Sequence, residues 1–179
     1  FPVRERFRLP QDTIIVTVCV LLIEIVVGGL ASYPLSRNKS KWNGLIKGII
    51  MGIMMIPSLS ILVGVYSLLV SIKGISTLVG IILVSSSFGL PMTIYLFTNF
   101  IGAIPPSLDE ASAIDGCGVA QTFFYIILPQ LKPVTVTIVI LNGVSIWNEY
   151  AYSLYILQKP KMYTLTLMIS QYFSAGGKT

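Results

Sequence analysis

Residues 105–133 read PPSLDEASAIDGCGVAQTFFYIILPQLKP, a polar stretch between two long apolar runs. It carries three carboxylates in quick succession, Asp109, Glu110 and Asp115. A carboxylate at the centre of a membrane-spanning helix costs about 2.5–3.5 kcal/mol, so three of them do not fit within one span. The stretch therefore predicts a polar segment held at a membrane surface between spanning helices.

The first half of this stretch has the signals of a short helix. Ser107 with Glu110 three residues later predicts a capping box, and the two prolines at 105–106 prevent the preceding helix from continuing into it. Gly116 and Gly118 then end the helix, and we expect Gly116 to adopt a positive φ at that point.

The second half predicts another short helix with one apolar face. Pro129 is expected to end it. The residues that share the face are Val119, Phe123, Ile126 and Ile127. We expect the two helices to lie at an angle and to form a protrusion at the membrane surface.

Residues 110–112 (EAS), Gly116 and residues 126–129 (IILP) resemble the EAA loop of ABC-importer permeases, with matching spacing throughout. Asp115 beside Gly116 is similar to the carbohydrate-uptake branch of that family. Ser112 stands where the family usually has a second alanine, which is a change between two small residues. The resemblance extends to three other short motifs, ASY-x-LSR at 31–37, FGLP at 88–91 and WNE at 147–149.

This resemblance implies that residues 102–133 form a coupling loop, which transmits the movement of an ATPase partner to the spanning helices. The residues expected to make this coupling contact are Asp109, Glu110, Ala111, Asp115, Gly116, Phe123, Leu128 and Pro129. ATP and Mg²⁺ would be bound by the partner. The chain itself would bind no cofactor or metal and would not be an enzyme.

The resemblance also implies the partners and the location. The chain would be one of two permease subunits of a binding-protein-dependent importer for a sugar or a related polyol. It would pair with a second permease subunit, with ABC ATPase subunits inside the cell and with a solute-binding protein outside. It would lie in the bilayer of the cytoplasmic membrane of a prokaryote and cross it several times.

The composition places the chain in the membrane class independently of any motif. Of its 179 residues, 54% are hydrophobic and 11% are charged. The net charge of +5 is spread along the chain, which does not predict binding to nucleic acid. There is no His and there are only two Cys residues, which argues against a metal or nucleophile site built from them. Cys19 in an apolar run and Cys117 in the polar loop are expected to lie too far apart for a disulfide.

Hydropathy predicts an all-α polytopic membrane protein with about four visible spans, and the resemblance implies that these are part of a six-helix permease fold. The whole of 1–179 is expected to be one transmembrane domain that lacks its first and last spans. The expected spans are residues 13–33, 44–70, 77–100 and 134–157. Residues 158–163 are expected to form a turn outside the cell, and the apolar segment 165–173 is too short to span.

Small residues and prolines modify these spans. Gly28 and Ser32 predict an edge where another helix packs closely, and a stripe of glycines, Gly44, Gly48 and Gly52, predicts a second such surface. The span 44–70 is long for a bilayer and must tilt, protrude or kink at Pro57.

Polar residues inside the spans are candidates for function. Glu24 lies near the centre of the first span, where we favour a protonated or hydrogen-bonded packing role over a transport role. In the fourth span Asn142, Ser145 and Glu149 are predicted to share one helix face, with Asn148 nearby. This stripe is expected either to line the solute pathway or to bind a partner helix.

Two alternatives from other functional classes remain open at this stage. One is a proton-coupled secondary transporter that uses Glu24 and Glu149 as proton carriers. The other is a membrane assembly protein that transports nothing, for which the glycine stripe would suffice. The distribution of Lys and Arg does not decide the topology, because the N-terminal Arg4, Arg6 and Arg8 oppose the basic loop at 37–47. The resemblance alone places the coupling loop inside.

Overall fold

The computed structural model describes residues 9–176, and every regular element in that part of the chain is helical. The arginines at positions 4, 6 and 8 lie outside the described residues. In chain order the helices are α1 (Leu9–Arg37), α2 (Lys41–Met54), α3 (Leu62–Ser71), α4 (Leu78–Ala103), α5 (Ser107–Ile114), α6 (Val119–Gln130), α7 (Lys132–Trp147), α8 (Ala151–Ile156) and α9 (Leu165–Gly176). Short 3₁₀ turns precede α3 at Ser58–Ile61 and α9 at Pro160–Met162. The expected all-α architecture is confirmed.

Two helices of the described chain are long and apolar enough to cross a membrane, Gln11–Arg37 and Leu78–Ala103. They correspond to the first and third expected spans. Two bent pairs, α2 with α3 and α6 with α7, raise the number of spans to four if each pair is one span. The expected number of about four is the upper value of this range.

The second expected span, 44–70, is interrupted. Its helix α2 ends at Met54, and Pro57 has the extended backbone conformation that precedes the 3₁₀ turn (φ −60°, ψ 121°). Proline has no backbone N–H to donate and its ring clashes with the preceding helical turn, so the break falls where the sequence predicts a kink.

The prediction that residues 134–157 form one continuous spanning helix is wrong, because α7 and α8 are separated by a break. The Glu149 carboxylate lies in this break and accepts hydrogen bonds from the backbone N–H groups of Tyr152 (2.6 Å) and Ser153 (2.9 Å). The first N–H groups of a helix have no partner within the helix, and Glu149 supplies one. Its side chain therefore starts a new helix instead of extending α7.

The described residues form two compact units. The first contains those within Phe1–Leu22, Pro57–Phe88 and Asn142–Thr179. Its buried core consists of Val16, Val20, Leu69, Ile81, Val84, Tyr152, Ile156, Leu157 and Leu167. The aromatic ring of Tyr152 packs against Phe88 at a centroid distance of 5.0 Å, and its hydroxyl donates to the Ser58 carbonyl.

The second unit contains Ile23–Ile56 and Gly89–Leu141, and it includes the whole coupling loop. Its core joins residues of α4 and α7 to residues of α6: Phe97, Ile101, Ile104, Phe123, Ile127, Leu131, Val134 and Ile138. Because Phe123 and Ile127 of the loop belong to the same cluster as residues of α4 and α7, this cluster forms the base of the loop.

Helices α1 and α4 approach each other closely in the second unit. A Cβ atom added to Gly28 would lie 2.6 Å from the Thr93 Cγ2 atom. The Ser32 hydroxyl lies 2.5 Å from the Gly28 carbonyl and 3.2 Å from the Ile94 carbonyl, and the Ser36 hydroxyl donates to the Thr98 carbonyl at 3.0 Å. The close-packing edge predicted from Gly28 and Ser32 is confirmed.

The glycine stripe of α2 behaves differently. A Cβ atom added to Gly44, Gly48 or Gly52 would have no atom within 4 Å, and no residue of α2 is buried. Within the described chain the stripe therefore packs against no other helix, and the predicted tight contact is not formed here.

Candidate functional site

The first helix of the coupling loop begins at Ser107, the residue that was expected to cap it. Pro106 precedes α5 with helical backbone angles (φ −61°, ψ −21°), and no side chain caps the helix. An N-cap residue needs an extended backbone for its side chain to reach the free N–H groups, and Ser107 already lies inside the helix. The predicted capping box of Ser107 and Glu110 is therefore wrong. The Glu110 N–H donates to the Pro106 carbonyl (3.1 Å), and its side chain is exposed.

The end of α5 agrees with the prediction for Gly116, which has a φ of 81°. The Cys117 N–H donates to the Ser112 carbonyl (2.9 Å), and the Gly116 N–H donates to the Ala113 carbonyl (3.1 Å). This pair of bonds is the Schellman motif, which requires a left-handed residue at the position of Gly116. Space is not the constraint, because a Cβ atom added to Gly116 would have no atom within 4 Å.

The second helix of the loop continues through Pro129 to Gln130, so the prediction that Pro129 ends it is wrong. Residues Thr122–Ile127 form a π-helical segment, and Pro129 lies in the first turn of the α-helical segment that follows. At the N-terminus of the second loop helix, the Gly118 N–H donates to the Gln121 Oε1 atom (2.8 Å).

The two loop helices are joined by buried contacts. The hydroxyls of Ser112 and Thr122 lie 2.7 Å apart, and both residues are buried. Phe123 and Ile127 are buried as the apolar pattern predicts, and Ile126 is partly buried. Val119 is 75% exposed, so it does not belong to the predicted buried face.

A polar cluster attaches the loop to the end of α1. The Arg37 Nη2 atom lies 2.7 Å from the Asp109 Oδ2 atom, and the Tyr33 hydroxyl donates to Asp109 Oδ1 at 2.6 Å. Arg37 Nη1 also donates to the Ile104 carbonyl at 3.0 Å. The Arg37 and Asp109 side chains are only 17% and 20% exposed. This cluster, Tyr33 with Arg37 and Asp109, is called the anchor below.

The sequence patterns predict Asp109 as a site residue, but they do not predict Tyr33 or Arg37. Both lie in the ASY-x-LSR motif at 31–37, which marks them individually but does not indicate Asp109 as their partner. Next to the anchor, the rings of Tyr33 and Phe123 pack at a centroid distance of 5.3 Å. An open groove of about 810 Å³ runs along this junction, lined among others by Leu30, Arg37, Glu110 and Phe124.

The outer surface of the loop is exposed and largely apolar. Ile114 is 86% exposed and Tyr125 is 77% exposed. Among the expected coupling residues, the exposed ones are Glu110, Ala111, Asp115, Gly116, Leu128 and Pro129. Asp109 and Phe123 instead face the rest of the second unit, through the anchor and the core.

The four expected pathway residues do not form one stripe. Glu149 lies outside α7, so the predicted common face with Asn142 and Ser145 is wrong for Glu149. Both of its carboxylate oxygens accept hydrogen bonds in the cap of α8, including one from the Ser153 hydroxyl (2.7 Å). Ser145 and Asn148 are exposed, and the Asn148 side chain donates to the Val144 carbonyl at 2.9 Å.

The buried carboxyl group of Glu24 is accommodated by a glycine. Glu24 is fully buried, and a Cβ atom added to Gly89 would overlap its carboxyl group. The FGLP motif at 88–91 therefore provides room for an acid inside the span. Cys19 and Cys117 are free thiols, as expected. Residues 9–176 contain no group of three or more His, Cys, Asp or Glu side chains arranged for a metal ion.

Comparison with known proteins assigns this architecture to a family. Residues 24–176 match the model of the family described as binding-protein-dependent transport system inner membrane component. The chain is 37% identical over 163 residues to the melibiose/raffinose/stachyose import permease protein MelC of Bacillus subtilis, covering 90% of this chain and 59% of MelC. It is 33% identical over 164 residues to the probable starch degradation products transport system permease protein AmyC of Thermoanaerobacterium thermosulfurigenes, covering 92% of this chain and 60% of AmyC.

A solved structure shares the fold. A chain of a bacterial ABC transporter involved in the import of the acidic polysaccharide alginate superposes with a TM-score of 0.81 at 20% identity, covering 97% of this chain and 60% of that chain. The present chain thus spans about 60% of the length of the relatives it matches. It is a multi-pass membrane protein with the fold of an ABC importer permease, and it belongs to the family of binding-protein-dependent transport system inner membrane components.

Proposed function

We propose that this chain is part of a permease subunit of an ATP-driven importer for a sugar or a related solute in a prokaryotic cell membrane. The sugar class is supported by the names of its relatives, among them MelC, AmyC and the multiple sugar-binding transport system permease protein MsmG of Streptococcus mutans. The partners are a second permease, ABC ATPase subunits and a solute-binding protein. ATP and Mg²⁺ are bound by the ATPase.

The observation that carries this proposal is the two-sided construction of the coupling loop. Its inner side is fixed by the anchor and by buried Phe123 and Ile127, whereas its outer side exposes Ile114 and Tyr125. Exposed apolar side chains next to exposed carboxylates are typical of a surface that binds another protein. We infer that the ATPase covers this outer side.

The proposed coupling mechanism depends on the loop moving as a rigid body. Because the loop helices are tied to each other and to α1, a displacement imposed on the outer side moves the loop as one body. ATP binding favours one arrangement of the ATPase subunits, and the loop passes that preference on to the spanning helices as a population shift between two packed states. ATP hydrolysis remains in the partner.

The proton-coupled alternative is less well supported. Its two proposed proton carriers are Glu24 and Glu149, and the carboxylate of Glu149 accepts three hydrogen bonds in the cap of α8. The carboxylate thus serves as the partner of otherwise free N–H groups at the start of that helix, a structural role that explains its presence without proton transport. The family assignment also favours the importer.

The test is uptake of radiolabelled melibiose, raffinose and maltose by the full-length permease, reconstituted with its partner subunits in proteoliposomes. We expect uptake of a sugar to require internal ATP and external binding protein, and to persist when a protonophore abolishes the proton gradient. Uptake that follows the proton gradient without the ATPase would contradict the proposal and support the secondary transporter.

A further inference from the structure

Asp109 connects the first loop helix, α5, to the end of α1 in the second unit. It lies in the first turn of α5, and its carboxylate bonds to two residues near the end of α1, Tyr33 at 2.6 Å and Arg37 at 2.7 Å. The other described side-chain bond that leaves α5 is that of Ser112, which stays within the loop. The anchor is therefore the polar connection from α5 to a spanning helix.

Arg37 connects a third element to the same point. Its Nη1 atom donates to the carbonyl of Ile104, directly after the end of α4. A guanidinium group suits this position, because the carbonyl groups at a helix C-terminus carry partial negative charge. One arginine thus ties the ends of α1 and α4 to the start of α5.

We propose that the anchor of Tyr33, Arg37 and Asp109 is the link through which movement of α5 displaces α1 and α4 together, so that these residues are positioning residues of transport. This rests on the proposed function. Apolar contacts such as that of Tyr33 with Phe123 permit sliding, whereas the directional hydrogen bond from Tyr33 to the Asp109 carboxylate and the Arg37–Asp109 ion pair resist it. Partial burial shields the Arg37–Asp109 pair from solvent and salt.

The proposal gives Asp109 a role different from direct contact with the ATPase. Glu110, the next residue, is exposed, while the Asp109 carboxylate points to Tyr33 and Arg37. If Asp109 acts only through the anchor, then removing its charge and removing the charge of Arg37 should have the same effect. If it instead binds the ATPase, the two variants should differ.

The first experiment compares Asp109→Asn, Arg37→Gln and the double variant in the full-length permease within the complete transporter. The measured quantities are ATPase recovery on purification and sugar taken up per ATP hydrolysed. We expect normal recovery, at least about a fivefold loss of uptake per ATP in either single variant, and no further loss in the double variant. Arg37→Lys keeps the positive charge but loses the planar guanidinium group with its several N–H donors. It should give a value of sugar uptake per ATP between those of the wild type and Arg37→Gln.

Lys39→Gln is the matched control, since it removes a positive charge two residues from Arg37 at an exposed position. It should leave uptake per ATP unchanged. An unchanged ratio in Asp109→Asn, or additive losses in the double variant, would overturn the proposal. Loss of ATPase recovery in Asp109→Asn but not in Arg37→Gln would also overturn it, because Asp109 would then be an ATPase contact.

A second experiment does not depend on transport. Spin labels at Lys39 and Ile114, both exposed, report the distance between the end of α1 and α5 in a background without the native cysteines. With the unmodified anchor we expect the same narrow distribution of distances with and without ATP. In Asp109→Asn we expect a broader distribution. A distance that changes with ATP in the unmodified anchor would overturn the proposal. Failure of ATP-dependent sugar uptake with intact anchor residues would instead overturn the proposed function.

Discussion

At the scale of single residues, the coupling loop depends on a few positions whose roles differ in kind. Gly116 is needed for its backbone conformation, and Asp109 is needed for its contacts with Arg37 and Tyr33. The Glu110 side chain forms no cap of α5. Asp109 and Glu110 are adjacent and both are acidic, yet one faces the chain and the other faces outward. Substitutions at these positions should therefore have separable effects.

Gly116→Val should misdirect the second helix of the loop and uncouple ATP hydrolysis from transport. A φ of 81° costs about 1–2 kcal/mol for a residue with a Cβ atom, and more for a branched one. Because the space around Gly116 is open, Gly116→Asn is a suitable control: asparagine adopts this conformation more readily than other residues. Sugar-stimulated ATPase activity should fall in Gly116→Val and be largely retained in Gly116→Asn. Equal activity in wild type and Gly116→Val would refute the backbone argument.

Glu110→Gln should leave the loop folded, because no side-chain cap is formed by Glu110. If its carboxylate pairs with a basic residue of the ATPase, loss of that partner costs about 2–5 kcal/mol at the interface. We expect reduced recovery of the ATPase with both Glu110→Gln and Glu110→Ala. A normal result for Glu110→Gln together with a loss for Glu110→Ala would show that the charge is not what matters.

Among the helices and turns, features set by residues close together in sequence could be predicted, and contacts between residues far apart in sequence could not. The glycine that ends α5 and the close packing at Gly28 follow from residue types at fixed short spacing. The anchor joins residues 33 and 37 to residue 109, and no local pattern indicates that pairing. The break after α7 was missed because hydropathy averages over a window, whereas a single carboxylate at Glu149 decides where α8 begins.

The helix contact at Gly28 gives a prediction for packing. Gly28→Ala should destabilise the contact of α1 with α4 by about 1–3 kcal/mol, because its Cβ atom would lie 2.6 Å from Thr93 Cγ2. Gly29→Ala is the control on the same helix, since its Cβ atom would lie 4.0 Å from the Phe123 ring. Thermal unfolding of the detergent-solubilised full-length permease should show a lower midpoint for Gly28→Ala only. A similar decrease in both variants would refute the close-approach argument.

For the molecule as a whole, the proposed function makes the loop a connection between its exposed outer side and the spanning helices. The solute class and the partners belong to the complete transporter, of whose permease relatives this chain covers about 60%. Under the proposed function, the outer side of the coupling loop binds the ATPase. Ile114 is the most suitable position for testing it, because it is 86% exposed and lies at the end of α5.

The direct measurement is cross-linking from a photoreactive amino acid at Ile114 in the assembled full-length transporter. The same group at Lys159 is the control, because that exposed residue lies in the turn expected outside the cell. We expect a cross-link between position 114 and the ATPase subunit and none from position 159. Cross-links from position 114 to lipid or to the second permease alone, with the ATPase present, would contradict this expectation.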